Sequence, residues 1–166
     1  MRRQLNLLRK GEKGQALVEF ALVSLVFFVF AFGIFDLARL FQSWVGVQHA
    51  ARDGARFAIT GQVVCTGQTD NRAACITARA KSATSGMNGG GASGSNVSVS
   101  FKYWDYPAYS GSGTSGPGSQ CDQIEVTVSY THHFASPFLQ VFAPSGVDIK
   151  GSQRMTNEPF GPCSTS

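Results

Sequence analysis

Twenty consecutive residues, Ala16–Phe35, carry a single charge, Glu19, in the run Ala-Leu-Val-Glu-Phe-Ala-Leu-Val-Ser-Leu-Val-Phe-Phe-Val-Phe-Ala-Phe-Gly-Ile-Phe. As a helix rising about 1.5 Å per residue, this run spans roughly 30 Å, the hydrocarbon thickness of a bilayer. It therefore constrains the chain to a membrane-spanning helix with the rest of the molecule attached to its ends. Glu19 is the anomaly inside it. A carboxylate in such a segment costs about 3 kcal/mol even on lenient insertion scales, so it ordinarily has a partner and a task.

Charge is distributed so as to orient that helix. The chain of 166 residues has a net charge of +4, and Arg2, Arg3, Arg9, Lys10 and Lys13 against Glu12 account for all of it. Everything from Gln15 onward is formally neutral. Basic residues before the run and Asp36 after it place the N-terminus in the cytoplasm by the positive-inside rule. The scattered basic residues from Arg39 to Arg154 give no interleaved basic and aromatic face, so nucleic acid is not an expected partner. A removed signal peptide is the competing reading, with Ala31-Phe32-Gly33 as its cleavage site. The run is longer than a usual signal core, however, and continues as an amphipathic helix. No cysteine near its end supports a lipoprotein signal.

Past the run, Leu37, Leu40, Phe41, Trp44, Val47, Ala51, Ala55 and Ala58 recur at the three-and-four spacing of one helix face. No proline interrupts Gln15–Ala58, which predicts one helix of roughly 65 Å, half in lipid and half emerging. Thr60-Gly61 ends it. Asp70 is the expected N-cap of a second helix over 71–85, and Gly86–Gly94 reads as a loop. The period then switches to two: Val97, Val99, Phe101 and Tyr103, and later Ile124, Val126, Val128, Tyr130 and His132, alternate with polar residues. Val147–Met155 is a third candidate strand. Phe138–Phe142, flanked by Pro137 and Pro144, suggests a helical turn. The expected fold class is α+β, a long N-terminal helix packed on a small antiparallel sheet. Its segments are a leader (1–14), a transmembrane helix (15–36), an amphipathic helix (37–60) and an extracytoplasmic head (61–166).

All four cysteines, Cys65, Cys75, Cys121 and Cys163, lie beyond the run, where an even count favours disulfides. Three pairings are possible, and sequence proximity suggests Cys65–Cys75 with Cys121–Cys163. Reduced, buried cysteines are the alternative. No metal or cofactor site is expected: there is no short C-x-x-C pair, and adjacent His132 and His133 point to opposite sides of a strand, exposed or half buried. Gly111-Ser-Gly-Thr-Ser-Gly116 matches G-x-G-x-x-G, but Pro117 follows where a helix would be needed, so it reads as a loop. No catalytic constellation stands out. Asp36 with Arg39, and Asp53 with Arg56, sit three apart and can pair on the helix surface or between subunits.

With its basic leader, Gly14, Glu19 at the fifth position after it, an apolar helix and a small β-containing head, the chain resembles type IV prepilin-like proteins. It is most similar to the TadE-like minor pilins (pseudopilins) of the tight-adherence, Flp-type pilus. Gly14-Gln-Ala-Leu-Val-Glu-Phe20 resembles the family's processing site, Phe32–Phe41 its membrane exit and Ala50–Arg56 its emerging helix. Ile124–Tyr130, Pro137 and Ser152–Glu158 resemble its closing strands. The resemblance implies a pilin-like fold in the bacterial inner membrane, cleavage of Gly14–Gln15 by a prepilin peptidase, and transfer to the pilus. It further implies partners among other pilins and an assembly platform with its ATPase. Glu19, beside Phe20, would then meet the new α-amine of a neighbouring subunit. The first mature residue would be Gln15, where major type IV pilins typically have Phe. An uncleaved single-pass protein whose outer domain binds a partner or ligand is the second reading.

Overall fold

The computed structural model describes residues 2–65, 71–87, 90–91, 95–159 and 162–163, with side chains from Gly14 onward. Helix α1 (Arg2–Ile59) is unbroken over 58 residues, roughly 87 Å at the standard rise. It contains the expected Gln15–Ala58 helix and extends back through the leader. Among the described residues, one helix, Gly14–Ile59, is long and apolar enough to cross a membrane. Leu17, Phe20, Phe27, Phe30 and Ile34 stand exposed along it, which fits a membrane anchor whose solvent is lipid.

The head pairs a second helix, α2 (Arg72–Ser82), with the strands β1 (Val97–Trp104), β2 (Thr114–Ser115), β3 (Gln123–His132) and β4 (Val147–Thr156); a short helix, α3 (Pro137–Phe142), links β3 to β4. The strands form one antiparallel sheet in the order β2-β1-β3-β4. Period two in β3 is strict, with Ile124, Val126, Val128, Tyr130 and His132 all buried. The flanking strands place Val99 and Gly151 on either side of Val128. Onto this face α1 lays Val47, Ala50, Ala51, Ala55 and Ala58, all fully buried. Small residues let the helix come close. A Cβ on Gly151 would lie 3.0 Å from the Val47 carbonyl oxygen, and one on Gly54 would lie 3.0 Å from the Ala80 methyl of α2. Gly54 also meets Val126 and Ser43 meets His132, so α1 and β3 run antiparallel. Eleven helical residues cover about 16 Å where six strand residues cover about 20 Å, a near match that keeps the two elements in register.

Four expectations change. Leu37, Phe41 and Trp44, placed on the inward face by their spacing, are exposed. The inward stripe instead runs Asp36, Leu40, Ser43, Val47, because the head offers polar partners at its membrane end and apolar ones only higher up. Helix α2 is shorter than expected, and the Asn71 side chain caps it by accepting the Ala74 amide at 3.0 Å, satisfying one of the orphan donors of a first turn. Asp70, the expected cap, lies outside the described residues. The Gly/Ser-rich connection contains β2, paired to β1 through Lys102 and Tyr103. Finally, His132 is only 3 % exposed.

Candidate functional site

The sequence-derived residues fall into separate groups along α1. Gly14, Gln15, Glu19 and Phe20 are exposed on its first apolar turns. Among the described residues, a Cβ on Gly14 would meet nothing within 4 Å, so packing among them does not account for the glycine there. The Gly14–Gln15 bond is helical and must unwind before a protease can bind it extended. Glycine eases that step, being about 1 kcal/mol less favourable than Ala in a helix. Gln15 and Glu19 stand four apart, one turn, and no side chain among the described residues pairs with Glu19.

Asp36 closes the apolar run from the inside of the head. It is 1 % exposed, and its carboxylate accepts the Ala135 amide at 3.1 Å, the Ser136 amide at 2.9 Å and the Ser136 hydroxyl. These charge-assisted bonds latch the segment after β3 to the helix at its exit from the apolar run. Arg39 forms no ion pair with Asp36 and lies 5.9 Å from the Phe35 ring centre. One turn up, the Ser43 hydroxyl donates to the Arg39 carbonyl at 3.0 Å. It also meets His132 Nδ1 at 3.2 Å and the Tyr130 phenol. The Ser43 oxygen thus joins the Arg39 carbonyl, His132 and Tyr130, and the direction of its bond to Nδ1 follows the His132 tautomer. The buried Nε2 has no hydrogen-bond partner among the described residues. Protonating it would bury an N–H without an acceptor. Accordingly His132 is held below the ordinary imidazole range, first by burial and then by the Arg39 charge, with Asp36 acting in the opposite sense. Sequence reading missed this polar seam because Asp36 and Ser43 resemble outward-facing residues. Steps of four, three and four residues linking Asp36, Leu40, Ser43 and Val47 are the available signal.

Asp53 and Arg56 do not pair with each other either; both line an open cleft of about 800 Å³ beside Val64, Arg79 and Ser82. Cys65 bonds to Cys75 and Cys121 to Cys163, anchoring the segment after α1 and the chain's last described residues. A second lock surrounds Arg72, whose guanidinium donates to the carbonyls of Gly118 and Ala58 and to Asn157 Oδ1. Asn157 in turn donates to Pro117 and Ser119, so one arginine joins the end of α1, the long loop and the end of β4. Partial burial lowers the Arg72 pKa, opposed by Asp122. The G-x-G-x-x-G loop packs on Trp104, whose indole donates to the Gly111 carbonyl at 3.0 Å. Gly113, at φ 71° against that ring, and Gly116, against Tyr103, serve close packing here. Among the described residues no group of three or more His, Cys, Asp or Glu could hold a metal ion.

Residues 14–56 match the family described as TadE-like protein, the family the sequence resembles. The match starts at Gly14 and covers the apolar run, Glu19, Asp36 and the packed half of α1. No curated protein and no solved structure matches the chain.

Proposed function

We propose that this TadE-like chain is a minor pilin or pseudopilin of a tight-adherence pilus. It is inserted in the bacterial inner membrane with its head outside, clipped between Gly14 and Gln15 by a prepilin peptidase, and taken into a pilus that serves adhesion or secretion. The observation that carries this reading is that the family match begins at Gly14, a glycine whose added Cβ would meet nothing within 4 Å among the described residues. Cleavage there would leave an α-amine one helical turn from Glu19. A carboxylate at this depth needs a partner, and the amine of a neighbouring subunit supplies one, the pair offsetting two buried charges. Exposed Leu37, Phe41, Trp44 and Val45 continue the apolar surface of α1 above the run, a surface suited to neighbouring helices in a filament. The role is structural, and an assembly platform with its ATPase would supply the work.

Glu19→Ala tests the assembly step. The variant should be clipped like wild type yet fail to enter pili in cells that assemble them; incorporation at the wild-type level would remove the role given to the carboxylate. The helical continuity of α1 through Gly14–Gln15 favours a second reading, an uncleaved single-pass protein whose head binds a partner.

A further inference from the structure

From Phe134 to Val147 the chain runs 14 residues without an Asp, Glu, Lys or Arg, and helix α3 lies in the middle of it. None of the six residues of α3 is buried. Val141 is 78 % exposed and Phe142 82 %, an unusual state for two large apolar side chains at the end of so short a helix. Their position relative to α1 explains it. The Asp36 latch fixes Ala135 and Ser136 at the end of the apolar run. Phe138 then reaches to within 3.9 Å of where a Cβ on Gly33 would stand. Gly33 lies three residues, about 4.5 Å, inside the run. Phe32, Phe35, Pro137 and Phe138 wall a shallow, almost wholly apolar recess of about 230 Å³ there.

We propose that α3 is a second membrane contact. Phe138, Val141 and Phe142 enter the interfacial layer of the leaflet from which the head emerges, so the head lies docked on the bilayer. The occupant is lipid because the patch is continuous with the lipid-facing surface of α1 at Phe32 and Phe35 and carries no charge. Asp36, which also lines the recess, has its carboxylate satisfied by Ala135 and Ser136 from within the head. Arg39, beside the Phe35 ring, can extend its guanidinium to the phosphates while its stem stays in apolar surroundings. Phe is among the residues that interfacial helices bury at the boundary between headgroups and acyl chains.

The inference rests on α1 spanning the membrane, and the test separates the two. The full chain carrying Trp44→Phe, with native Trp104 retained, is placed in vesicles whose lipids bear bromine near the top of the acyl chain or near its end. Single tryptophans are added at Phe142, at Phe30 within the run and at Lys102 on the distal sheet. Phe142→Trp should be quenched by the shallow bromines at least twofold more than Lys102→Trp, and Phe30→Trp most by the deep ones. Val141→Trp should behave like Phe142→Trp. Quenching at Phe30 but none at Phe142 or Val141 would overturn the second contact and leave the anchor standing. Shielding of Phe142→Trp from both bromines and aqueous iodide would also overturn it, showing a protein surface there. Absence of quenching at Phe30 would overturn both.

Discussion

Substituting Asp36 tests whether the helix exit and the segment after β3 form one latched unit. In Asp36→Ala three hydrogen bonds to a carboxylate disappear. Ser136, 7 % exposed, keeps two donors, its amide and its hydroxyl, without their acceptor, whereas Ala135 is exposed and its amide can turn to water. Bonds to charged groups contribute about 1.5–3 kcal/mol each before compensation, and a buried orphan donor costs about 1–3 kcal/mol. Because water recovers part of this, the net loss should be about 3 kcal/mol, or roughly 100-fold in the opening equilibrium. Asp36→Asn keeps one acceptor and should lose about half as much. Hydrogen exchange of the full chain in lipid nanodiscs, read by mass spectrometry over 133–146, measures it directly. The peptide should exchange about 100-fold faster in Asp36→Ala, while 124–130 in the centre of β3 stays protected. Unchanged exchange over 133–146 would refute the latch, and equal acceleration throughout the head would refute its locality.

Gly151→Ala drives a methyl to 3.0 Å from Val47 and should cost about 1–3 kcal/mol by overpacking, seen as an earlier denaturant midpoint; a neutral result would mean the helix rides farther from the sheet. Because the folded state holds His132 neutral while the unfolded chain titrates near 6.5, its contribution to stability is full above that pH and is lost as pH falls below it. The melting temperature should therefore drop between pH 7.5 and 5.5, and His132→Gln should drop less than wild type; parallel curves would contradict the assignment. Cys121 and Cys163 are 42 residues apart and Cys65 and Cys75 are 10 apart. Loop entropy then predicts losses of about 4 and about 3 kcal/mol on replacing each pair with Ala, and a reversed order in denaturation would point to native contacts over loop closure.

The two hydrophobic periods made the architecture legible in advance. A membrane-length run that passes into a three-and-four pattern specified α1, and strict alternation specified β3 with its buried face. Nearness in sequence sufficed for the cysteine pairs seen here, since Cys65 and Cys75 are 10 residues apart. What escaped reading depends on partners far along the chain. Thr114-Ser115 becomes a strand only because Tyr103 and Lys102 are already paired to β3 and offer a free edge. Asp36 turns inward because Ala135 and Ser136, about a hundred residues later, bring amides to it. Spacing alone groups Leu37, Phe41 and Trp44 with the packed face of α1, and spacing does not state which neighbour a face meets. The Arg72 and Asn157 lock is equally invisible, since its acceptors are backbone carbonyls that carry no sequence signature.

In the proposed function, cutting one bond completes the helix for assembly. Intact mass and N-terminal sequencing of the full chain, recovered from membranes after co-expression with a prepilin peptidase, test it most directly. A product beginning at Gln15 is expected, with retention of Met1 in a variant with a bulky residue at position 14. A wild-type product still beginning at Met1, while the same peptidase processes a control substrate, would contradict it.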